Sequence, residues 1–183
     1  ELTETIFVNL KCDTKGVAMS GFSVANNITL RNYYATYRDF TAKSNRANAT
    51  TNQLNYADAQ ALRRAVRKLD DFDFENADKT DLSSHIRAFV DTYNYTMEST
   101  KSSTNSYSIS TYKNLKNLAS KYQKDLENIG IKENSSGYLT LSSSAVENIS
   151  ASKFQKLLGS DSQFMKSLTS YARRMTNNIN YYA

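Results

Sequence analysis

Few side chains in this sequence are suited to catalysis or to binding a transition metal. His85 is the only histidine and Cys12 is the only cysteine. A nucleophilic site needs a base with an orienting carboxylate beside its Ser or Cys, and a zinc site needs several soft ligands. Neither pattern surrounds these two residues. We therefore interpret His85 as a partly buried structural histidine and Cys12 as a free thiol.

Acidic side chains are concentrated in one short segment, which begins at Asp70 and ends at Asp81. Closely spaced carboxylates supply the oxygen ligands that calcium prefers. The segment has no glycine at the turn position, and the twelfth residue from Asp70 is Asp81 instead of glutamate. An acidic loop that ends a helix is the simpler interpretation, with a carboxylate-based enzyme site as a minor alternative.

Phosphate-binding and hydrolase motifs are also absent from the sequence. It contains no glycine-rich phosphate loop and no nucleophile elbow. We therefore predict that the protein is not an enzyme and that it uses no cofactor and no metal.

The formal charge of +5 comes from basic residues that alternate with acidic ones, which is typical of a solvated surface. One basic cluster, Arg63 to Lys68, falls near the end of a predicted helix, where the helix dipole favours positive charge. No nucleic-acid partner is predicted, and membrane-surface binding through this cluster is an open alternative. No apolar run approaches the roughly 18 residues that cross a bilayer, so no integral membrane segment is expected.

The absence of proline and the presence of only five glycines permit long helices almost everywhere. Residues 1–26 lack helical periodicity and are expected to form an N-terminal extension with a short strand at Thr5 to Leu10. Residues 27–183 are expected to form one helical bundle domain. Its first helix, capped by Asn27, places apolar residues on one face, and its second helix begins near Tyr56 after a polar connector at residues 43–55. The apolar residues of the first helix are Leu30, Tyr33, Tyr37 and Phe40.

Two further helices have the clearest apolar stripes, and the short polar segment between them predicts that they pack antiparallel. The first covers Asp81 to Thr100, and the second follows Ser110 with a continuous heptad seam. The stripe of the first helix consists of Leu82, Ile86, Phe89, Val90, Tyr93 and Met97. The seam of the second consists of Tyr112, Leu115, Ala119, Tyr122, Leu126 and Ile129.

The second of these helices is expected to end at Gly130, which can adopt the left-handed conformation of a helix C-terminus. Asn134 to Gly137 then favours a turn and Tyr138 to Leu141 an extended segment. A final helix is expected to begin at Ser160 or Asp161. The predicted fold is therefore mainly α, an antiparallel helical bundle with a small two-stranded β element.

Twelve residues are predicted to form the structural core or a helix interface. They are Leu82, Ile86, Phe89, Val90, Tyr93, Leu115, Tyr122, Leu126, Gly130, Phe164, Leu168 and Tyr171. Tyrosine is also enriched at protein interfaces, and four tyrosines are candidates for exposed contacts. These are Tyr34, Tyr138, Tyr181 and Tyr182.

Three sequence segments occur in an order that resembles the carboxy-terminal part of flagellar filament-capping proteins, also called hook-associated proteins. They are Ile86-Arg87-Ala88-Phe89-Val90-Asp91-Thr92-Tyr93-Asn94, Leu126-Glu127-Asn128-Ile129-Gly130-Ile131 and Gly137-Tyr138-Leu139-Thr140-Leu141. A fourth piece, Leu157-Leu158-Gly159, is similar to the family's segment before its last helix, so that the resemblance covers residues 82–159. It implies a related helical module of an exported or surface-associated protein. The chain has no room for the large central domain of the capping proteins, and the resemblance implies no catalytic residues.

The sequence therefore favours a non-catalytic structural or interaction protein that binds a protein partner or associates with itself. A soluble adaptor or chaperone-like binder of an export substrate is the alternative, in which a helix lies in a groove. An extracellular or cell-surface location is favoured over a cytoplasmic one.

Overall fold

The fold is mainly helical with one small antiparallel sheet, as the sequence predicts. It is described by a computed structural model that covers residues 28–182. The predicted extension at residues 1–26, the cap at Asn27 and the thiol of Cys12 lie outside the described residues. Within residues 28–182, every helix is too short or too polar to cross a bilayer.

The helices and strands of the described residues follow one another with short connections. The helices are α1 (Ile28–Tyr34), a 3-10 helix (Ala35–Thr41), α2 (Lys43–Asn48), α3 (Thr51–Asp70), α4 (Lys79–Lys101), α5 (Ser106–Lys121), α6 (Gln123–Asn128), α7 (Ala145–Asn148), α8 (Ala151–Leu158) and α9 (Gln163–Asn178). The strands are β1 (Ile131–Glu133) and β2 (Leu139–Leu141).

Helix α3 lies at the centre of the bundle, where it packs against α1, α4 and α9. Ala57, Ala61 and Ala65 are fully buried and follow one another at steps of four, so that they share one side of the helix. Small side chains on that side let a neighbouring helix approach closely.

The predicted connector at residues 43–55 is wrong, because the structure has helix α2 there and begins α3 at Thr51. A capping box starts α3: the Thr50 hydroxyl accepts from the Gln53 backbone N–H, and the Gln53 side chain accepts from the Thr50 N–H. This motif satisfies two of the donors that a helix N-terminus leaves free. The polar composition of residues 43–55 therefore does not distinguish a connector from a short helix.

Helices α4 and α5 pack against each other and are joined by only four residues, 102–105, which makes them antiparallel. The Tyr93 hydroxyl links them by donating to the Leu115 carbonyl at 3.0 Å. The predicted seam is not one continuous helix, because α5 ends at Lys121 and α6 begins at Gln123. Tyr122, with φ −103° and ψ 16°, lies at this break and lets Leu126 turn into the core.

The first predicted helix is also broken. Ala35 has a left-handed φ of 50°, so that α1 stops at Tyr34 and a 3-10 helix follows. Leu30 and Tyr33 are buried, whereas Tyr37 and Phe40 only border the core. The bend directs the chain toward α2.

The β hairpin is fastened to α4 by one side chain. Asn94 accepts from the Leu139 N–H and donates to the Leu139 carbonyl, each at 2.8 Å, as a neighbouring strand would.

At the start of the hairpin, Gly130 has φ +74°, and a Cβ there would lie 2.2 Å from the Ala145 Cβ. Glycine is therefore required at this helix end both by conformation and by space.

Most residues predicted as core or interface lie in the main core. Nine of them are buried: Leu82, Ile86, Phe89, Val90, Tyr93, Leu115, Leu126, Phe164 and Leu168. Tyr122 and Tyr171 are partly buried against that core. These nine residues therefore belong to the core, whereas Tyr122 and Tyr171 remain partly accessible.

We predict that Phe89→Ala or Leu115→Ala lowers the free energy of unfolding by about 2–5 kcal/mol, because each substitution leaves a cavity in a packed core. Both side chains are fully buried. Urea denaturation measures the loss, and Ile109→Ala, a change at a 40% exposed side chain, is the control. A loss below about 1 kcal/mol at Phe89 and Leu115 contradicts the packing.

Candidate interaction surface

A buried ion pair joins α2 to α3. The two terminal nitrogens of Arg46 donate to the two carboxylate oxygens of Asp58 at 2.8 and 2.9 Å. Asp58 is fully buried and Arg46 is 8% exposed. This bidentate geometry is the strongest form of an arginine–carboxylate contact.

Aromatic and backbone groups complete the surroundings of this pair. The Tyr34 hydroxyl donates to Asp58 at 2.5 Å, and Arg46 also donates to the Phe40 carbonyl at 3.3 Å. The Arg46 guanidinium lies over the Tyr95 ring, 4.0 Å from its centroid. Burial, and then the charge of Asp58, hold the pKa of the Tyr34 phenol well above its usual range, so this phenol remains a donor. Every charged group of the cluster thus has a partner inside the protein.

This cluster was not predicted from the sequence, and the prediction that Tyr34 is an exposed contact is wrong. Tyr34 is fully buried, because its hydroxyl compensates a buried carboxylate. One signal was available, since Asp58 falls among alanines on the apolar side of α3. A charged residue at such a position needs a buried partner.

We predict that Arg46→Met alone costs about 3–5 kcal/mol of stability, because it leaves the Asp58 carboxylate buried without a counter-charge. The triple variant Tyr34→Phe, Arg46→Met, Asp58→Leu should recover most of that loss, because it removes the polar groups together. Urea denaturation compares the two. A triple variant as unstable as the single one would show that the shape of Arg46, and not charge compensation, is what the core requires.

The only histidine joins a chain of three polar groups. The Tyr33 hydroxyl bonds to His85 Nδ1 at 2.5 Å, and His85 Nε2 lies 3.5 Å from Asp81 Oδ1. Burial lowers the pKa of His85, and the Asp81 carboxylate opposes that shift. Burial, together with the nearby Asp81, raises the pKa of Tyr33. With Nε2–H facing Asp81, the imidazole Nδ1 accepts a hydrogen bond from the Tyr33 hydroxyl, and these three groups connect α1 with α4.

Asp91 is a half-buried carboxyl on α4. Burial raises its pKa to about 6, and the nearby Arg87 partly opposes that shift. The folded protein therefore binds a proton at Asp91 more tightly than the unfolded chain does.

We predict a pH dependence of stability that originates at Asp91. Its pKa rises from about 3.9 in the unfolded chain to about 6 in the folded protein. The protonated carboxyl therefore favours folding below about pH 4, and this contribution is lost as the pH rises through about 6. Asp91→Asn should raise stability at pH 7 by about 3 kcal/mol and flatten the profile between about pH 4 and 6. Urea denaturation across that range measures both effects, and an unchanged profile contradicts the assignment.

The acidic segment from Asp70 to Asp81 forms the loop between α3 and α4 and the first turn of α4. Asp73 accepts from the backbone and side chain of Asn76, and Asp78 caps α4 by accepting from the Asp81 N–H. In residues 28–182, no three His, Cys, Asp or Glu side chains are placed to share a metal ion. The carboxylates of Asp71 and Glu75 point into solvent, because both residues are exposed.

An open depression lies among α6, α8 and the start of α9. Its volume is about 450 Å³, and its lining combines Tyr122 and Leu157 with the charged side chains of Asp125, Lys153 and Lys156. The charges of this lining are mixed in sign.

A group of basic side chains lies on α3 and α9. Arg63 donates to Thr176 of α9 at 3.0 Å, and Arg64 donates to the Tyr33 carbonyl at 3.1 Å, so both are half-buried. The predicted solvent-facing cluster is therefore only partly exposed. Its exposed cations are Arg67 and Lys68 of α3, and Lys166 and Arg173 of α9 add to them. These six residues are called the basic stripe below.

Within the helices that form the basic stripe, no exposed carboxylate interrupts it. Helix α9 contains no acidic residue, and α3 contains only Asp58, which is paired with Arg46, and Asp70 at its end. Among residues 28–182, no member of the basic stripe has a carboxylate within 4.0 Å. Its charge is therefore available to a partner.

Tyrosines cluster at the opposite end of the same surface. The ring centroid of Tyr181 lies 5.2 Å from that of Tyr37 and 5.7 Å from that of Tyr56. Tyr182 is 93% exposed next to them. Tyr56, Gln60, Arg63 and Arg67 follow at steps of four, three and four, so they share one side of α3 over about 16 Å. The surface thus combines the residue types, tyrosine and arginine, that dominate protein-interface energetics.

The fold and this surface define a mainly helical bundle with a buried ion pair between Arg46 and Asp58 and with four exposed cations in its basic stripe. Comparisons with protein-family models, curated proteins and solved structures found no match.

Proposed function

We propose that this chain is a non-catalytic structural protein that works by binding other protein chains through the basic stripe and the adjoining tyrosines. The open, unpaired charge of that stripe carries the proposal. The polar groups of the interior support it, because the Arg46, His85 and Asn94 side chains are engaged in contacts that hold helices and the hairpin together.

The resemblance to flagellar filament-capping proteins enters the same proposal. In this chain, Asn94 of the first resembling segment bonds to Leu139 of the third, and Gly130 of the second occupies a helix end that only glycine fits. Three of the four pieces of the resemblance therefore contribute a contact or a glycine to one local unit. We propose a related helical module of an exported or surface-associated protein.

The depression beside α8 favours a second function, the binding of an export substrate as an adaptor. It differs from the first function in where the partner lies. Lys68 and Lys166 belong to the basic stripe, whereas Lys153 and Lys156 line the depression.

We predict that a lysine-reactive cross-linker, applied in cells of the native host, joins protein partners to Lys68 and Lys166. Mass spectrometry of the linked peptides identifies the positions. Lys113 and Lys124, exposed on α5 and α6, serve as controls. Links confined to Lys153 and Lys156 would favour the adaptor, and a pattern no different from the controls would count against both functions.

A further inference from the structure

On the basis of the proposed function, we propose that one partner of the basic stripe is the acidic loop of a second copy of this chain. The acidic loop is the segment from Asp71 to Asp81, and its exposed carboxylates belong to Asp71, Asp73, Glu75, Asp78 and Asp81. Both charged surfaces thus lie on the same molecule.

The two surfaces do not pair within one copy. The loop leaves α3 at its C-terminal end, directly after the basic residues of that helix. Lys166 influences the pKa of Asp70, and Lys68 that of His85, but neither reaches a carboxylate within 4.0 Å among residues 28–182. Asp71 and Glu75 of the loop likewise have no ion-pair partner among residues 28–182, so these charges are available to attract another copy.

The acidic loop is held in shape before any partner arrives. Phe74 is buried, and its ring packs edge-on against Phe72 at a centroid distance of 5.1 Å. Phe72 in turn lies 5.0 Å from the His85 ring. Asp73 fixes the bend through Asn76. Little conformational entropy is therefore lost when the carboxylates meet a partner.

The basic stripe is similarly organised. The bond from Arg63 to Thr176 fixes α9 beside α3, so that Arg173, one turn before Thr176, lies on the same surface as Arg67. The exposed carboxylates of the acidic loop, led by Asp71 and Glu75, can thus face the four exposed cations of the stripe, with Arg63 and Arg64 behind them. Complementary patches of this kind set the orientation of two chains and accelerate their encounter.

A second copy is favoured over nucleic acid because the acidic loop adjoins the basic stripe. A polyanion that follows the stripe toward the end of α3 would meet exposed carboxylates, which repel it. A second copy instead brings carboxylates to the stripe and cations to the loop, whether the two copies form a closed pair or an open chain.

The test measures self-association of the full chain by sedimentation velocity at about 20 mM and about 500 mM NaCl, since salt screens exposed charges. The wild type should associate at low salt and dissociate at high salt. Arg67→Glu with Arg173→Glu should weaken association at least about tenfold, and so should Asp71→Lys with Glu75→Lys. A mixture of these two variants should restore it, because reversed charges then face each other.

The control is Lys113→Glu with Lys124→Glu. It changes the net charge as much as Arg67→Glu with Arg173→Glu does, but on exposed residues of α5 and α6. It should associate nearly as the wild type does. Thermal unfolding establishes that each variant is folded, and the rescue by mixing requires two folded partners.

Three outcomes would overturn the proposal: a wild type that stays monomeric at both salt concentrations, a mixture that fails to associate, or a control that weakens association as much as the stripe variant. A monomeric wild type that binds a labelled single-stranded oligonucleotide or anionic vesicles through Arg67 and Arg173 would also overturn it. The proposed function itself fails separately, if no protein cross-links to Lys68 or Lys166 in the native host.

Discussion

The buried pair of Arg46 and Asp58 is the contact on which the arrangement of the first helices depends. Two charges removed from water are stable only when each compensates the other and the remaining donors and acceptors are satisfied. Asp58 needs Arg46 from α2 and Tyr34 from α1, and Arg46 needs the carbonyl of Phe40. These requirements leave α1, the 3-10 helix and α2 one compatible position against α3. Apolar contacts alone are less specific in direction.

Similar directional contacts place the other elements of the bundle. Tyr93 ties α4 to α5, Asn94 holds the hairpin on α4, and Tyr33 meets His85 between α1 and α4. The apolar core supplies the larger share of the stability, but these bonds select which surfaces of the helices meet. These bonds therefore fix how α1, α5 and the hairpin lie against α4.

The helix order explains how the candidate surface arises. Helix α9 lies beside α3 with its C-terminal half near Arg63, so the cations of two distant segments form one stripe. The end of the chain then brings Tyr181 onto Tyr37 and Tyr56. At the other end of α3 the acidic loop begins. The tyrosines, the basic stripe and the acidic loop therefore follow one another along α3. Such an arrangement of charge can orient an approaching protein.

The sequence by itself determined the helical class, the antiparallel pair α4 and α5, the glycine stop at Gly130 and the small hairpin. These features follow from contacts between neighbours in the chain, because helical periodicity, turn residues and glycine conformation are local. Helix α2, the break at Tyr122 and the buried position of Tyr34 were decided by tertiary structure. Arg46 and Asp58 are twelve residues apart, and Arg63 and Thr176 are 113 apart, so no local pattern reveals their contact. The basic stripe exists only after α9 packs beside α3, because a charged surface shared by two helices is a property of their packing and not of either sequence segment.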